Sequence, residues 1–330
     1  MRYHRLNADE RETISRMLAQ GCSLRVIACS LERSVSTISN EVNAGGCNRY
    51  LYRAARAHRR AERHARKRRY GKRKIVLCAR LRSYVHATLQ LRWSPEEIAH
   101  RIIARYPDDM TMRISPETIY AYLYVLPKGS LKKELLACLR RERKRRHKRH
   151  HGEKPMVERN IEGMVSIDER PAEVADRIVP GHWEGDLLIG KNRQSALGSL
   201  VERTTRTTIL VPLENRAAET VRKAFAKEAK KIPAQLRLSM TYDQGREMAE
   251  HKLFTRATKM QVYFAHKASP WERGTNENTN GLVRQFFPKG TDFSKISRRA
   301  VKHVQHLLNG RPRKVLNWAT PYEVFHQLFR

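Results

Sequence analysis

GHWEGDLLIG (residues 181–190) opens the C-terminal half of this 330-residue chain as a strand. It is short, apolar and bounded by glycines, and its period-two alternation puts Glu184, Asp186 and Leu188 on one face. Working outward, SALGSLVERTT (195–205) and TTILVPL (207–213) read as two further strands. AAETVRKAFAKEAKKI (217–232) has helical spacing, and LSMTYD (238–243) and QVYFA (261–265) return to strand. Further helices are expected over about 276–287, 294–309 and 320–329. Three strands followed by alternating helix and strand predict an α/β domain with a mixed sheet over 165–330.

Three acids stand out in that domain. Asp186 lies inside the first strand, and Asp243 ends LSMTYD just before Gln244–Gly245. That is the C-terminal lip of a strand, where open α/β sheets commonly carry their sites. Glu277 follows PWERGTN near the start of a helix, with 33 residues between it and Asp243. Hard divalent cations prefer oxygen ligands, and two ions about 4 Å apart can activate an attacking oxygen and stabilise a leaving one. Asn280 and Arg284 fall three and seven residues after Glu277, on the same helix face. A guanidinium there suits phosphate, and Asn276, Asn280 and Arg284 are candidate DNA contacts. A lone acid is more often a cap or turn residue. Glu184 is the alternative to Asp186, while Glu247 and Glu272 read as structural or DNA-proximal.

The N-terminal part is all-helical in pattern. ADERETISRMLA (8–19) places Ile14, Met17 and Leu18 at helical spacing. Ser23 is positioned to cap a helix burying Leu24, Ile27 and Leu31, with Ala28 close-packed. After a break at Glu32–Arg33, a second helix opens near Ser34–Val35 with Ile38 and Val42 inward. This is the pattern of a helix-turn-helix over residues 1–50, with Arg33, Ser34, Ser36, Thr37 and Asn40 as candidate DNA contacts. Glu32 stands where Gly is usual, and a left-handed backbone there costs about 1 kcal/mol. Residues 51–75 form a basic helical arm suited to tracking phosphates. In 76–139, Ser94-Pro95-Glu96-Glu97 is a capping box and Ser115-Pro116 repeats the device. These helices make either a second helix-turn-helix-like DNA-binding unit or a structural connector. Residues 140–164 are a basic linker.

Lys and Arg total 67 against 33 Asp and Glu, a formal net charge of +34. That balance favours a polyanion, with double-stranded DNA first. A membrane partner is not expected: no apolar run approaches the ~18–20 residues of a spanning helix, and MRYHRLNADER lacks a signal-peptide core. Cys22, Cys29, Cys47, Cys78 and Cys138 form no CxxC pair. Buried reduced thiols fit better than zinc.

GHWEGDLLIG, SLVERTTR, TYDQGREMAEH and SPWERGTNENTNGLVRQFFPKGTDF, with RPRKVLNWATPYEVF at 311–325, resemble the insertion sequence thirty family of bacterial transposases. The resemblance covers nearly the whole chain. It implies a multidomain protein with N-terminal helix-turn-helix units and a C-terminal ribonuclease-H-like catalytic domain. It further implies an Asp-Asp-Glu triad at Asp186, Asp243 and Glu277 acting with two Mg²⁺ or Mn²⁺ ions and no nucleotide cofactor. The implied substrates are terminal inverted repeats and target DNA, joined in a dimer or larger complex of a cytoplasmic, nucleoid-associated protein. Glu32, Val35 and Asn40 depart from the family's usual Gly, Pro and Arg. A DNA-binding repressor and a hydrolytic nuclease of the same fold are the alternatives.

Overall fold

The computed structural model describes residues 5–44, 49–70, 74–127, 129–139, 161–267 and 269–328. The chain divides into two compact units, Met1–Ala79 and Arg80–Arg330. The basic run 140–151 lies outside the described residues.

In the first unit, α1 (Ala8–Ala19), α2 (Leu24–Ser30) and α3 (Val35–Asn43) close over a core of Ile14, Leu18, Ile27, Ala28, Ile38 and Val42. Local chemistry sets each start. Asn7 and Glu10 form a capping box on α1, Ser23 accepts from the Val26 amide, and Ser34 accepts from the Thr37 amide. The turn between α2 and α3 passes through Glu32 at φ 52, the left-handed conformation a side chain resists. The basic arm forms α4 (Ala54–Tyr70), whose Ala57 joins the core together with Tyr52. A part-buried Arg11–Glu41 pair at 2.8 Å ties α1 to α3. The short α5 (Lys74–Leu77) follows.

The second unit begins with α6 (Ala79–Gln90), α7 (Pro95–Arg105), α8 (Pro116–Val125) and α9 (Ser130–Ala137). The Ser94–Glu97 capping box and the Ser115 cap are both formed. Arg311 donates to both Glu97 carboxylate oxygens at 3.0 and 2.9 Å, Lys314 pairs with Glu96, and Arg101 pairs with Glu323. His100 stacks on Trp318 with ring centroids 4.1 Å apart. Contacts more than two hundred residues apart in sequence therefore hold α7 to the C-terminal segment.

After α10 (Glu173–Asp176) comes the sheet: β1 (His182–Ile189), β2 (Ala196–Glu202), β3 (Thr208–Leu213), β4 (Ser239–Tyr242) and β5 (Gln261–Phe264). Its order is β3-β2-β1-β4-β5. The first three strands are antiparallel, and β4 and β5 run parallel to β1, which makes the mixed sheet of a ribonuclease-H-like, integrase-type core. One face packs on α11 (Ala218–Ala229) and α12 (His251–Thr258) through Trp183, Leu200, Phe225, Met240, Tyr242 and Phe254. The other packs on α13 (Gly274–Phe286) and α14 (Arg298–Asn309) through Leu188, Leu197, Leu210, Leu282, Val283 and Val304. Burial of each such side chain contributes roughly 1.5–3 kcal/mol. A capped α15 (Pro321–Gln327) ends the described chain. Gly185 is required by packing, since a Cβ there would lie 2.7 Å from the Tyr242 ring.

The described cysteines Cys22, Cys29, Cys78 and Cys138 form no disulfide, but the expectation that they are buried is corrected. Cys29 is exposed and the other three are half-buried. Among the described residues no helix is long and apolar enough to cross a membrane.

Candidate active site

The alternation of β1 sends Trp183 and Leu187 to the α11–α12 face and Glu184, Asp186 and Leu188 toward α13 and α14. Parallel pairing sets His182 beside Ser239 and Glu184 beside Thr241. Carried two residues further, that register brings Asp243, just past β4, beside Asp186. Adjacent strands lie about 4.8 Å apart, so the two carboxylates meet where β1 passes the carboxyl end of β4.

A third side chain holds them there. Arg273 stands 3.5 Å from Asp186 Oδ1 and 3.3 Å from Asp243 Oδ2, a cation shared by two anions. Its Nη1 also donates to the Gly185 carbonyl at 3.3 Å. Asp186 accepts from its neighbour's Leu187 amide at 2.9 Å and from Asn280 Nδ2 at 2.8 Å. Burial pushes the Asp186 carboxyl above the ordinary carboxylate range; Arg273 opposes that rise and the Asp243 charge adds to it. Glu247 is raised in the same way, by burial first and then by Asp243 and Asp186.

Glu184 has a different environment. It is fully buried, pairs with Arg203 at 3.0 Å, and accepts from the Asn276 amide at 2.7 Å. That amide is one of the open N–H groups in the first turn of α13, so Glu184 serves as a buried cap for the helix carrying Glu277. With both oxygens committed, it is tied to structure rather than to the Asp186–Asp243 pair. Glu272 likewise accepts from the His266 amide and ring.

The chain is 42% identical over 328 residues to the transposase for insertion sequence element IS1086 of Cupriavidus metallidurans, covering 99% of this chain and 96% of that one. It is 40% identical over 327 residues to transposase InsI for insertion sequence element IS30A of Escherichia coli, covering 98% and 83%.

The chain belongs to the IS30 family of transposases.

A helix-turn-helix domain model matches residues 2–45 of the transposase, and an integrase core domain model matches 176–270, a span that includes Asp186 and Asp243. The transposase for IS4351 of Bacteroides fragilis is 33% identical over 98% of this chain and 96% of that one. The catalytic core domain of BIV integrase superposes on 46% of this chain and 99% of its own, with a TM-score of 0.35 and 15% identity.

The remaining candidate residues of the transposase divide by exposure. Glu277 is exposed on α13, one helical turn before Asn280. Among the described residues its carboxylate does not join the two aspartates, and no cluster of three or more His, Cys, Asp or Glu stands ready for a metal. Asn276, expected as a DNA contact, is wholly buried and its carbonyl accepts from Ser199 at 2.9 Å. Arg284 donates to the Ile189 carbonyl at 2.9 Å and lies over the Phe293 ring. In the helix-turn-helix, Ser34, Ser36 and Asn40 are exposed at the start and outer face of α3. Thr37 is half-buried, and Arg33 pairs with Glu10 at 2.9 Å. Arg273 escaped the sequence reading. Its only local signal is its place in PWERG, directly before the helix of Glu277.

The integrase-type core carries a general dependence on divalent metal, and the local donors suit it. Asp186 and Asp243 supply only oxygen, the preference of hard cations. A guanidinium already occupies the position where positive charge is needed between them.

Proposed function

We propose that this transposase binds the terminal inverted repeats of an insertion sequence, cuts at the transposon end and joins the freed strand to target DNA. The observation that carries the reading is the pairing of Asp186 with Asp243 across adjacent parallel strands, with Arg273 between them. In it, Asp186 and Asp243 would hold the ions and Glu277 would complete the ligand set from α13. Bound there, two Mg²⁺ or Mn²⁺ ions would polarise the scissile phosphate and lower the pKa of the attacking oxygen.

The protein's own part is positioning. Asn280 aims one Asp186 oxygen by hydrogen bond, and the Glu184 cap holds the first turn of α13 against β1. Water attacks first, breaking a P–O3′ bond to leave a 3′-hydroxyl and a 5′-phosphate. That hydroxyl then attacks a target phosphodiester in line, and the target strand's own 3′-oxygen leaves as a hydroxyl, with no covalent protein intermediate. Ser34, Ser36, Thr37 and Asn40 face the major groove, the basic residues of 51–75 follow phosphates, and 76–139 adds a second DNA-binding unit. Two ends must meet, so the active form is a dimer or larger, working on DNA at the bacterial nucleoid.

A joining assay on labelled repeat-end DNA with Mg²⁺ or Mn²⁺, comparing wild type with Glu277→Gln, tests the reading. Metal-dependent joined products that vanish in the variant are expected. Cleavage without joining would identify a hydrolytic nuclease. Tight binding with neither would leave a DNA-binding repressor and remove the catalytic claim.

A further inference from the structure

A cavity of about 160 Å³ opens beside the N-terminal half of α13, lined by Arg177, Arg206, Arg313, Gly274, Thr275 and Thr279 among others. Three guanidinium groups line it, and no carboxylate is among its lining residues. The nearby acids are committed elsewhere: Glu184 to Arg203 and the Asn276 amide, and Glu202 to the amides of Gly181, Thr204 and Thr205. Burial first and then the charge of Arg177 hold the Arg206 pKa below its ordinary value, while Glu184 and Glu202 oppose the shift. Arg206 Nη1 donates to Thr275 Oγ1 at 2.6 Å, while its buried Nε has no hydrogen-bond partner.

Gly274 adds an independent observation. It opens α13 in ordinary helical conformation, and a Cβ there would meet no protein atom within 4 Å. Gly274 is the first residue of α13, and no packing contact requires its missing side chain. A bare backbone beside a helix N-terminus and three arginines matches the close approach of a phosphate oxygen.

We propose that this cavity is a phosphate subsite that grips one DNA backbone phosphodiester, separate from the one reacting at Asp186 and Asp243. The proposal rests on the DNA-joining reading above. Thr275 and Thr279 lie on a different stripe of α13 from Asn276 and Asn280, which face β1. A helix is about 10–12 Å across, so the gripped phosphate lies a few nucleotides from the scissile one. Held there, a strand would be set in register with the carboxylates.

The test uses the full-length protein and a labelled duplex carrying the element's end, with single neutral methylphosphonate linkages stepped along each strand. One or two linkages are expected to weaken wild-type binding about tenfold. That penalty should disappear in Arg177→Gln and in Val315→Glu, an exposed rim position where an added carboxylate would repel phosphate and leave the core untouched. An unchanged penalty pattern in both variants overturns the subsite. Orthophosphate or pyrophosphate raising the wild-type Tm but not that of the variants, with the linkage scan unmoved, assigns the cavity to free phosphate and overturns the DNA claim. Joining by wild type is run alongside: its absence counts against the DNA-joining reading, whereas joining with an unmoved scan sinks the subsite alone.

Discussion

Asn280 donates its side-chain amide to Asp186 Oδ2 at 2.8 Å, which keys the helix of Glu277 to the strand of the first aspartate. The bond aims a carboxylate that burial would otherwise favour in its neutral form. Asn280→Ala is expected to lower joining at least tenfold, by roughly the loss of one positioned ligand. Its cost in stability is about 1 kcal/mol, the net worth of one hydrogen bond. Single-turnover joining with urea unfolding separates the two effects; unchanged joining would remove Asn280 from the site.

Glu184 and Glu277 should part company in the same pair of assays. Glu184→Gln breaks a fully buried pair with Arg203, so the unfolding free energy should fall by about 3 kcal/mol. Glu277 is exposed on α13, and Glu277→Gln should leave the unfolding midpoint in place while abolishing joining. A stable Glu184→Gln protein without activity would instead make Glu184 the working acid.

Arg273 occupies the two carboxylates that the proposed ions would use. Removing it leaves Asp186 and Asp243 facing each other uncompensated. Arg273→Gln should therefore lower the metal-free Tm and tighten Mn²⁺ binding several-fold in calorimetry, since like charges left together favour a cation. Equal affinity in both proteins would mean that the guanidinium yields its place at no cost.

The raised Asp186 pKa gives a sign for pH. A carboxyl whose folded pKa lies above its unfolded value contributes stability below the unfolded pKa and loses it as pH rises through the folded one. Metal-free protein should thus gain Tm from Asp186→Asn at neutral pH, where the buried charge is a burden. Mn²⁺ affinity of the wild type should climb as pH rises through that same folded pKa, because cations bind the ionised form. A flat affinity profile from acid to neutral pH would contradict this assignment.

In the helix-turn-helix, Glu32 holds φ 52 and is exposed. Glu32→Gly should raise the stability of that unit by up to about 1 kcal/mol, with DNA binding unchanged. A loss of stability would show that the Glu32 side chain makes a contribution larger than its backbone strain.

Local signals carried much of the fold. Ser23, Ser34, Ser94 and Ser115 each precede a helix and each caps it, because a side-chain oxygen three residues from an open amide acts within one turn. The alternation in GHWEGDLLIG put Asp186 and Glu184 on one face because strand periodicity needs no tertiary information. It could not separate them: Glu184 is drawn into the interior by Arg203 and the first turn of α13, groups that only folding brings near. Asn276 and Asn280, four apart on one helix, both accept from Ser199, and only Asn280 also donates its side-chain amide to Asp186. Arg273 between two aspartates, the arginine-lined cavity and the clasp of Arg311 on Glu97 all join residues distant in sequence. Caps and periodicity are properties of a few adjacent residues and so are written in the chain itself. Charge pairing and burial depend on which surfaces meet, and the packed sheet and helices decided those.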